Sequence, residues 1–269
     1  MERQNTLSVR GFQRRARSMA RVRQALILAA GMGVRLREIG QATPKGFLRL
    51  GQRPIVEESL ERLSAEGIER VVIATGHHAE FYEELRRARP ALVTTVHNPR
   101  YEGSGSLYSL WCARHELAKD FLLLESDLIF ERRALREALD HPSPDVLLVS
   151  EPTGARDEVW VEARDGNLHD MSKDRTRLGP ELAGELVGIT KVSQPFLRAM
   201  LAVGERLFRE TLEVDYELEG LVQAARVRPL PVHLVRDLAW AEIDDLHHLE
   251  RARERVYPEL SRRDALSER

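Results

Sequence analysis

One cysteine, Cys112, stands in 269 residues. No internal disulfide can form, and nothing implies an oxidising compartment. No apolar run approaches the ~18 residues that a membrane span needs. Neither sign of charge dominates: 41 Lys and Arg face 43 Asp and Glu, for a net charge of -2. That gives no bulk electrostatic reason to expect nucleic acid as a partner. No Gly-Lys-Ser/Thr follows the first glycine-rich turn, which excludes a Walker A loop. Pro/Gly/Ser linkers, internal repeats and low-complexity tracts are all missing. With neither a secretory signal nor a span, the expected location is the cytoplasm.

What is present suffices for one sizeable core. Hydrophobic residues make up 42% of the chain, and a domain of roughly 250 residues buries about three quarters of its unfolded surface. Residues 1–23 stand apart, with seven arginines against the single acid Glu2. They read as a basic, disordered extension, with Met19 as an alternative start. From Gln24 the pattern alternates strand and helix. Ala25–Ala30, Val71–Ala74, Leu92–Val96, Phe121–Leu124 and Asp145–Val149 are short continuous apolar runs, the mark of buried strands. Between them Val56–Leu63, Ala79–Arg87 and Ser106–Leu117 have helical spacing. This predicts an α/β fold, Rossmann-like, with a mostly parallel sheet covered on both faces.

Past Ser150 the pattern changes. Asp165-Gly166-Asn167 separates two short strand-like runs, a hairpin signal. Further strands are expected at Glu185–Val192, Val232–Leu234 and Ala239–Ile243, and helices at 194–208, 218–225 and 246–256. The expected organisation is a single domain over 24–258. Residues 24–150 form its nucleotide half, 151–258 a smaller β-rich half that binds the acceptor and closes the site, and 259–269 a tail.

Ligands of such sheets bind at the carboxyl ends of the strands. Gly31, Gly76 and Asp127 all fall there. In Ala29-Ala30-Gly31-Met32-Gly33-Val34-Arg35 the glycines let backbone N–H groups approach phosphate oxygens. Arg35 and the following Pro44-Lys45 add positive charge where a triphosphate would sit. Asp127 ends a strongly apolar strand, where a carboxylate is costly unless paired or metal-bound. A helix cap is the competing role. Trp240, Glu242 and Asp244 share one face of a short strand by alternation; Asp244 also competes as a cap for the last helix. Glu158, Trp160, Asp215, Tyr216, Glu217 and Glu242 cluster acids with aromatics, as an acceptor with an ammonium head would require. Lys173 would neutralise that acceptor's phosphate or phosphonate. Taken singly, each of these is as well explained as a solvated surface charge.

The segment Leu26–Lys45 resembles the signature of the sugar-phosphate nucleotidyltransferase superfamily, with Val34 where a Ser or Thr is usual. Pro44–Leu48, Glu125–Ile129, Asp157–Trp160, Ser172-Lys173, Gly184–Lys191 and Glu242–Asp244 together resemble the 2-aminoethylphosphonate cytidylyltransferases. Asp215, Tyr216, Glu242 and Asp244 are shared in similar contexts with the bacterial phosphocholine cytidylyltransferases. The resemblance implies CTP and Mg²⁺, with a zwitterionic acceptor. It implies a metal held by Asp127 and Asp244, and catalytic cations Arg35, Lys45 and Lys173. The base would sit near Gly76 and Gly103-Ser104-Gly105-Ser106. It leaves open a phosphocholine acceptor, a sugar 1-phosphate, or a non-catalytic nucleotide-binding regulator.

Overall fold

The computed structural model describes residues 21–267 apart from Arg37. Residues 1–20 of the expected extension lie outside the described residues. Its last three do not behave as a free tail. Val22 is buried, and the Arg21 guanidinium donates to the Glu66 carbonyl at 2.9 Å.

Eleven strands are formed among the described residues. β1 (Gln24–Ala29), β2 (Arg70–Thr75), β3 (Val93–His97) and β4 (Phe121–Glu125) pair in parallel, in the order β3-β2-β1-β4. β5 (Leu128–Phe130) leaves the main sheet, and β6 (Val146–Ser150) returns to it. β7 (Trp160–Arg164) and β8 (Asn167–Ser172) form the expected hairpin, with Arg164 opposite Asn167. Asp165 and Gly166 both take positive φ, as a tight two-residue hairpin turn requires. β9 (Leu182–Val192) runs antiparallel between β4 and β6, and also pairs with β7. β10 (Val232–Val235) adds in parallel beyond β6. β11 (Trp240–Glu242) pairs with β5 as a separate ribbon. The sheet is therefore mostly parallel, as the apolar runs predicted, and β9 ties the 151–258 half into it.

Every residue of β1 is buried. Alternation sends Leu26 and Leu28 to one face and Ala25, Ile27 and Ala29 to the other, and each face owns a hydrophobic cluster. Helix α1 (Ile55–Ala65) packs Leu60 and Leu63 on the second face, with α2 (Ala79–Ala88) beside it. α3 (Ser106–Ala113) and α4 (Arg133–Asp140) lie on opposite faces, shown by Leu110 in one cluster and Leu135 in the other. α5 (Gln194–Leu207) joins α3 through Phe196 and Met200. Each fully buried Leu contributes about 1.5–3 kcal/mol, so this double-sided core holds the strand ends rigidly.

The chain closes with α6 (Leu246–Arg251) and α7 (Tyr257–Ser267), joined by a π-helical turn. Residues 259–269, expected to be a tail, are instead helical as far as Ser267. Leu260 is fully buried, and Asp264 pairs with Arg62 at 3.0 Å. The π-helical turn Tyr216–Leu221 places Asp215–Glu217 against α3.

Candidate active site

The loops after β1, β3 and β4 meet at one edge of the sheet around a cavity of about 280 Å³. Ala29, Ala30 and Gly31 form one wall, Ser104, Gly105 and Ser106 another, and Lys45, Glu125 and Asp127 the floor. Gly76 lies behind this wall. A Cβ there would meet the Ala30 carbonyl oxygen at 2.7 Å and Tyr101 Cβ at 2.6 Å, so only glycine admits the close approach. Met32, Gly33 and Gly103 lie off the cavity lining.

Lys45 Nζ reaches Asp127 Oδ2 at 2.7 Å and Asp244 Oδ1 at 2.5 Å. All three side chains are largely buried. Burial alone would lower the Lys45 pKa, but the two carboxylates outweigh it and hold the ammonium above the ordinary lysine range. Burial likewise pulls Asp244 upward, and Lys45 and Arg35 reverse that, leaving it below the usual aspartate value. Neither aspartate is a helix cap. Asp245 caps α6 by accepting from His248 N, and α4 has Arg132 at its N-cap, with no cap bond from that side chain.

Two carboxylates converging on one cationic point make a donor set that suits a hard divalent ion, since Mg²⁺ takes one or two carboxylates with phosphate oxygens and water. Asp127 belongs to a second group as well. Glu125, Asp127 and Glu242 bring carboxylate oxygens within 4.8 Å of one another. Burial, then neighbouring acids, push Glu125 and Glu242 far above the usual glutamate range. Burial and then Glu242 raise Glu217 to about 8. This surplus of acid calls for a cation.

A second, tight cavity of about 30 Å³ adjoins through these acids, lined in part by Asp157, Glu217, Glu242 and Asp244. Arg35 bonds two of its lining residues, Asp157 Oδ2 and Asp244 Oδ1, each at 2.8 Å. Lys173 reaches both oxygens of Asp157 at 3.1 Å.

Residues 25–262 match the MobA-like NTP transferase domain. The chain belongs to that family. The CMP-5'-(3-aminopropyl)phosphonate synthase of Streptomyces rubellomurinus is 31% identical over 234 residues, 82% of this chain and 37% of that protein. A choline-phosphate cytidylyltransferase of Streptococcus pneumoniae is 32% identical over 108 residues, 40% of this chain and 46% of that protein. The chain thus spans less than half the length of either curated relative. The solved inositol-1-phosphate CTP transferase from T. maritima superposes with a TM-score of 0.75 at 21% identity, covering 90% of this chain and 96% of that one. That likeness concerns the fold.

Within this NTP transferase domain the expected acceptor residues separate. Glu242 lines the tight cavity, whereas Asp215 lies on the wall of the larger one, where Ser106 Oγ faces it at 3.4 Å. Tyr216 is buried and donates its hydroxyl to Glu217 at 3.1 Å. Trp160 and Glu158 line neither cavity. The Arg175 guanidinium already covers the Trp160 ring, 5.2 Å from its centroid. Glu217, read from the sequence beside Asp215 and Tyr216 in the acceptor cluster, lines the tight cavity, whereas Glu125 and Asp157 occupy the site without having been singled out. Both sit inside a quoted motif, but only the fold shows which acid of a motif faces inward.

The transferase domain's β6–β7 loop is strapped down beside the tight cavity. Buried Glu185 accepts from Thr153 N at 2.6 Å and Thr153 Oγ1 at 3.0 Å, and Arg251 donates to the Thr153 carbonyl. Burial pushes Glu185 up from an ordinary 4.5 to about 7. A raised carboxyl pKa means that the folded state keeps its proton longer than the unfolded chain. The stability this provides is complete below pH ~4.5 and is lost as pH rises through about 7. Across that interval it amounts to about 3 kcal/mol at most. Glu185→Gln, which mimics the protonated form, should flatten that part of the decline. Urea midpoints of both proteins from pH 4.5 to 8 check this; parallel curves would remove Glu185 as the source.

Proposed function

We propose that the protein transfers CMP from CTP to 2-aminoethylphosphonate, giving CMP-2-aminoethylphosphonate and pyrophosphate. The observation that carries this reading is the tight acidic cavity beside the larger one. Glu217 and Glu242, held above the ordinary glutamate range by burial and by neighbouring acids, would ionise against an arriving primary ammonium, which donates three hydrogen bonds. A trimethylammonium head needs more room and open aromatic faces. Here Tyr216 is buried, Arg175 covers Trp160, and Trp240 on the cavity wall is only 5% exposed. The aminoalkylphosphonate named for one relative supports the same class of acceptor.

In this reading the backbone of Ala29–Gly31 and Lys45 cradle the triphosphate, and Ser104–Ser106 border the nucleoside. Asp127 and Asp244 would hold Mg²⁺, which when bound supplies neutralisation of the phosphate charge. Arg35, expected from the sequence at the triphosphate, lies off the lining of the larger cavity and shares Asp157 with Lys173, so in this reading both cations orient the phosphonate, and Glu217 and Glu242 take its ammonium. A phosphonate oxygen attacks the α-phosphorus of CTP. The new P–O bond forms as the α–β bridging bond breaks, and pyrophosphate leaves. The attacking oxygen is already anionic near neutrality, so no strong general base is required. The domain's work is to position two anions and screen their repulsion.

Pyrophosphate release tests the reading, with CTP, UTP, ATP and GTP crossed against 2-aminoethylphosphonate, phosphocholine and glucose 1-phosphate. Release should be strong only for CTP with 2-aminoethylphosphonate. A preference for phosphocholine would overturn the acceptor assignment and keep the fold and the nucleotide site. Tight CTP binding without release from any pair would favour a regulator.

A further inference from the structure

Asp157 has no part in the reaction just described, yet its carboxylate lies between the two cations assigned to the acceptor. Arg35 Nη1 approaches Oδ2 at 2.8 Å, and Lys173 Nζ lies 3.1 Å from both oxygens. The two cations come from different halves of the chain. Arg35 belongs to the turn after β1, and Lys173 directly follows β8. Asp157 itself lines the tight cavity together with Glu217 and Glu242. An anion with at least two oxygens, forked between a guanidinium and an ammonium beside a carboxylate-lined pocket, has the chemistry of one end of a short zwitterion.

The loop that delivers Asp157 is built for the purpose. Glu185 grips both donors of Thr153. The His248 ring lies 3.0 Å from the Ala155 carbonyl, and Arg251 bonds the Thr153 carbonyl at 3.0 Å. Gly154 and Arg156 take positive φ, which folds the short segment back on itself. A residue such as Arg156 reaches that conformation only at a cost, which surrounding contacts must offset. These anchors hold Thr153 and Ala155, leaving the Asp157 side chain to reach the two cations.

We propose that Asp157 is an internal stand-in for the phosphorus oxyanion of the acceptor. It neutralises Arg35 and Lys173 in the free protein and must be displaced when the acceptor's phosphonate arrives. This rests on the proposed acceptor class. Arg35 would stay in place after displacement, because Asp244 holds its other nitrogen at 2.8 Å. The same oxyanion chemistry would come from the nucleotide's terminal phosphates. Lys173 and the shared wall with Glu217 and Glu242 favour the acceptor as its source.

The test compares the full chain with its Asp157→Asn and Asp157→Glu variants. Calorimetry measures binding of methylphosphonate, which lacks the ammonium, and separately of pyrophosphate. Asp157→Asn should bind methylphosphonate about three- to tenfold more tightly, the range expected when two partly exposed ion pairs no longer compete. Asp157→Glu should stay near the wild type. Where turnover is measurable, KM for the acceptor should fall in Asp157→Asn. Weaker or unchanged methylphosphonate binding would overturn the proposal, as would a gain confined to pyrophosphate. Calorimetry needs no turnover, so absence of cytidylyl transfer would count against the function proposed above and leave this result standing. Matching melting temperatures for the three proteins establish that the variants are folded.

Discussion

Asp127→Asn is expected to reduce kcat by at least about 10³-fold while the protein melts within a few degrees of the wild type. Both halves of that expectation follow from position. Asp127 is the one carboxylate common to the Lys45-bridged pair and to the trio with Glu125 and Glu242. Removing its charge weakens both groupings. A divalent ion held there would supply several kcal/mol of charge stabilisation during phosphoryl transfer, and each 1.4 kcal/mol is a factor of ten. Folding is spared because Asn keeps an acceptor oxygen for Lys45, and Lys45 keeps Asp244 at 2.5 Å. Steady-state turnover beside a thermal melt decides the matter. Near-normal turnover would remove the metal assignment from Asp127.

Much of the fold was legible in the sequence because the parallel strands are buried on both faces. β1, β2, β4 and β6 read as unbroken apolar runs, and Asp165-Gly166 fixed the hairpin by the backbone angles those residues tolerate. β5 was not legible. Its three residues carry no period of their own, and β11, its partner, comes about 110 residues later in the chain. The helical course of 257–267 was hidden for a similar reason. Its polar composition reads as a tail, and what holds it in place comes from distant residues: the burial of Leu260, the pairing of Asp264 with Arg62 and the Tyr257 hydroxyl on Glu58 among them.

The site divides along the same line. Ala29–Gly31 and Ser104–Ser106 could be placed from the glycine-rich turns and the resemblance they carry. The surroundings of Trp160 could not be read, because alternation within β7 says nothing of Arg175, which arrives from beyond β8 to cover the ring. Asp157 and Glu185 are acids that no local pattern marks out, one in a loop and one at the start of an expected strand. What distinguishes them is burial against distant elements, and no local period encodes that.

Lys45→Ala should affect stability as well as rate, and the two effects have different remedies. The ammonium is the cation that Asp127 and Asp244 share in a largely buried setting. Taking away one partner of such a group leaves uncompensated charge, a loss of about 3–5 kcal/mol. The loss should be largest near pH 8, where the freed carboxylates are least able to escape by taking up protons. A divalent cation offers those carboxylates the same relief. Urea unfolding in EDTA should therefore show the full loss, and Mg²⁺ should restore part of it in the variant while moving the wild type less. Turnover should not follow. Lys45 is also assigned to the triphosphate, and removing one positioned charge donor costs about 10²–10³-fold in kcat whether or not the fold is rescued. Equal Mg²⁺ responses in the two proteins would argue that Asp127 and Asp244 do not share a metal. A loss below 1 kcal/mol would argue that the Lys45 bridge is not what holds this edge of the sheet together.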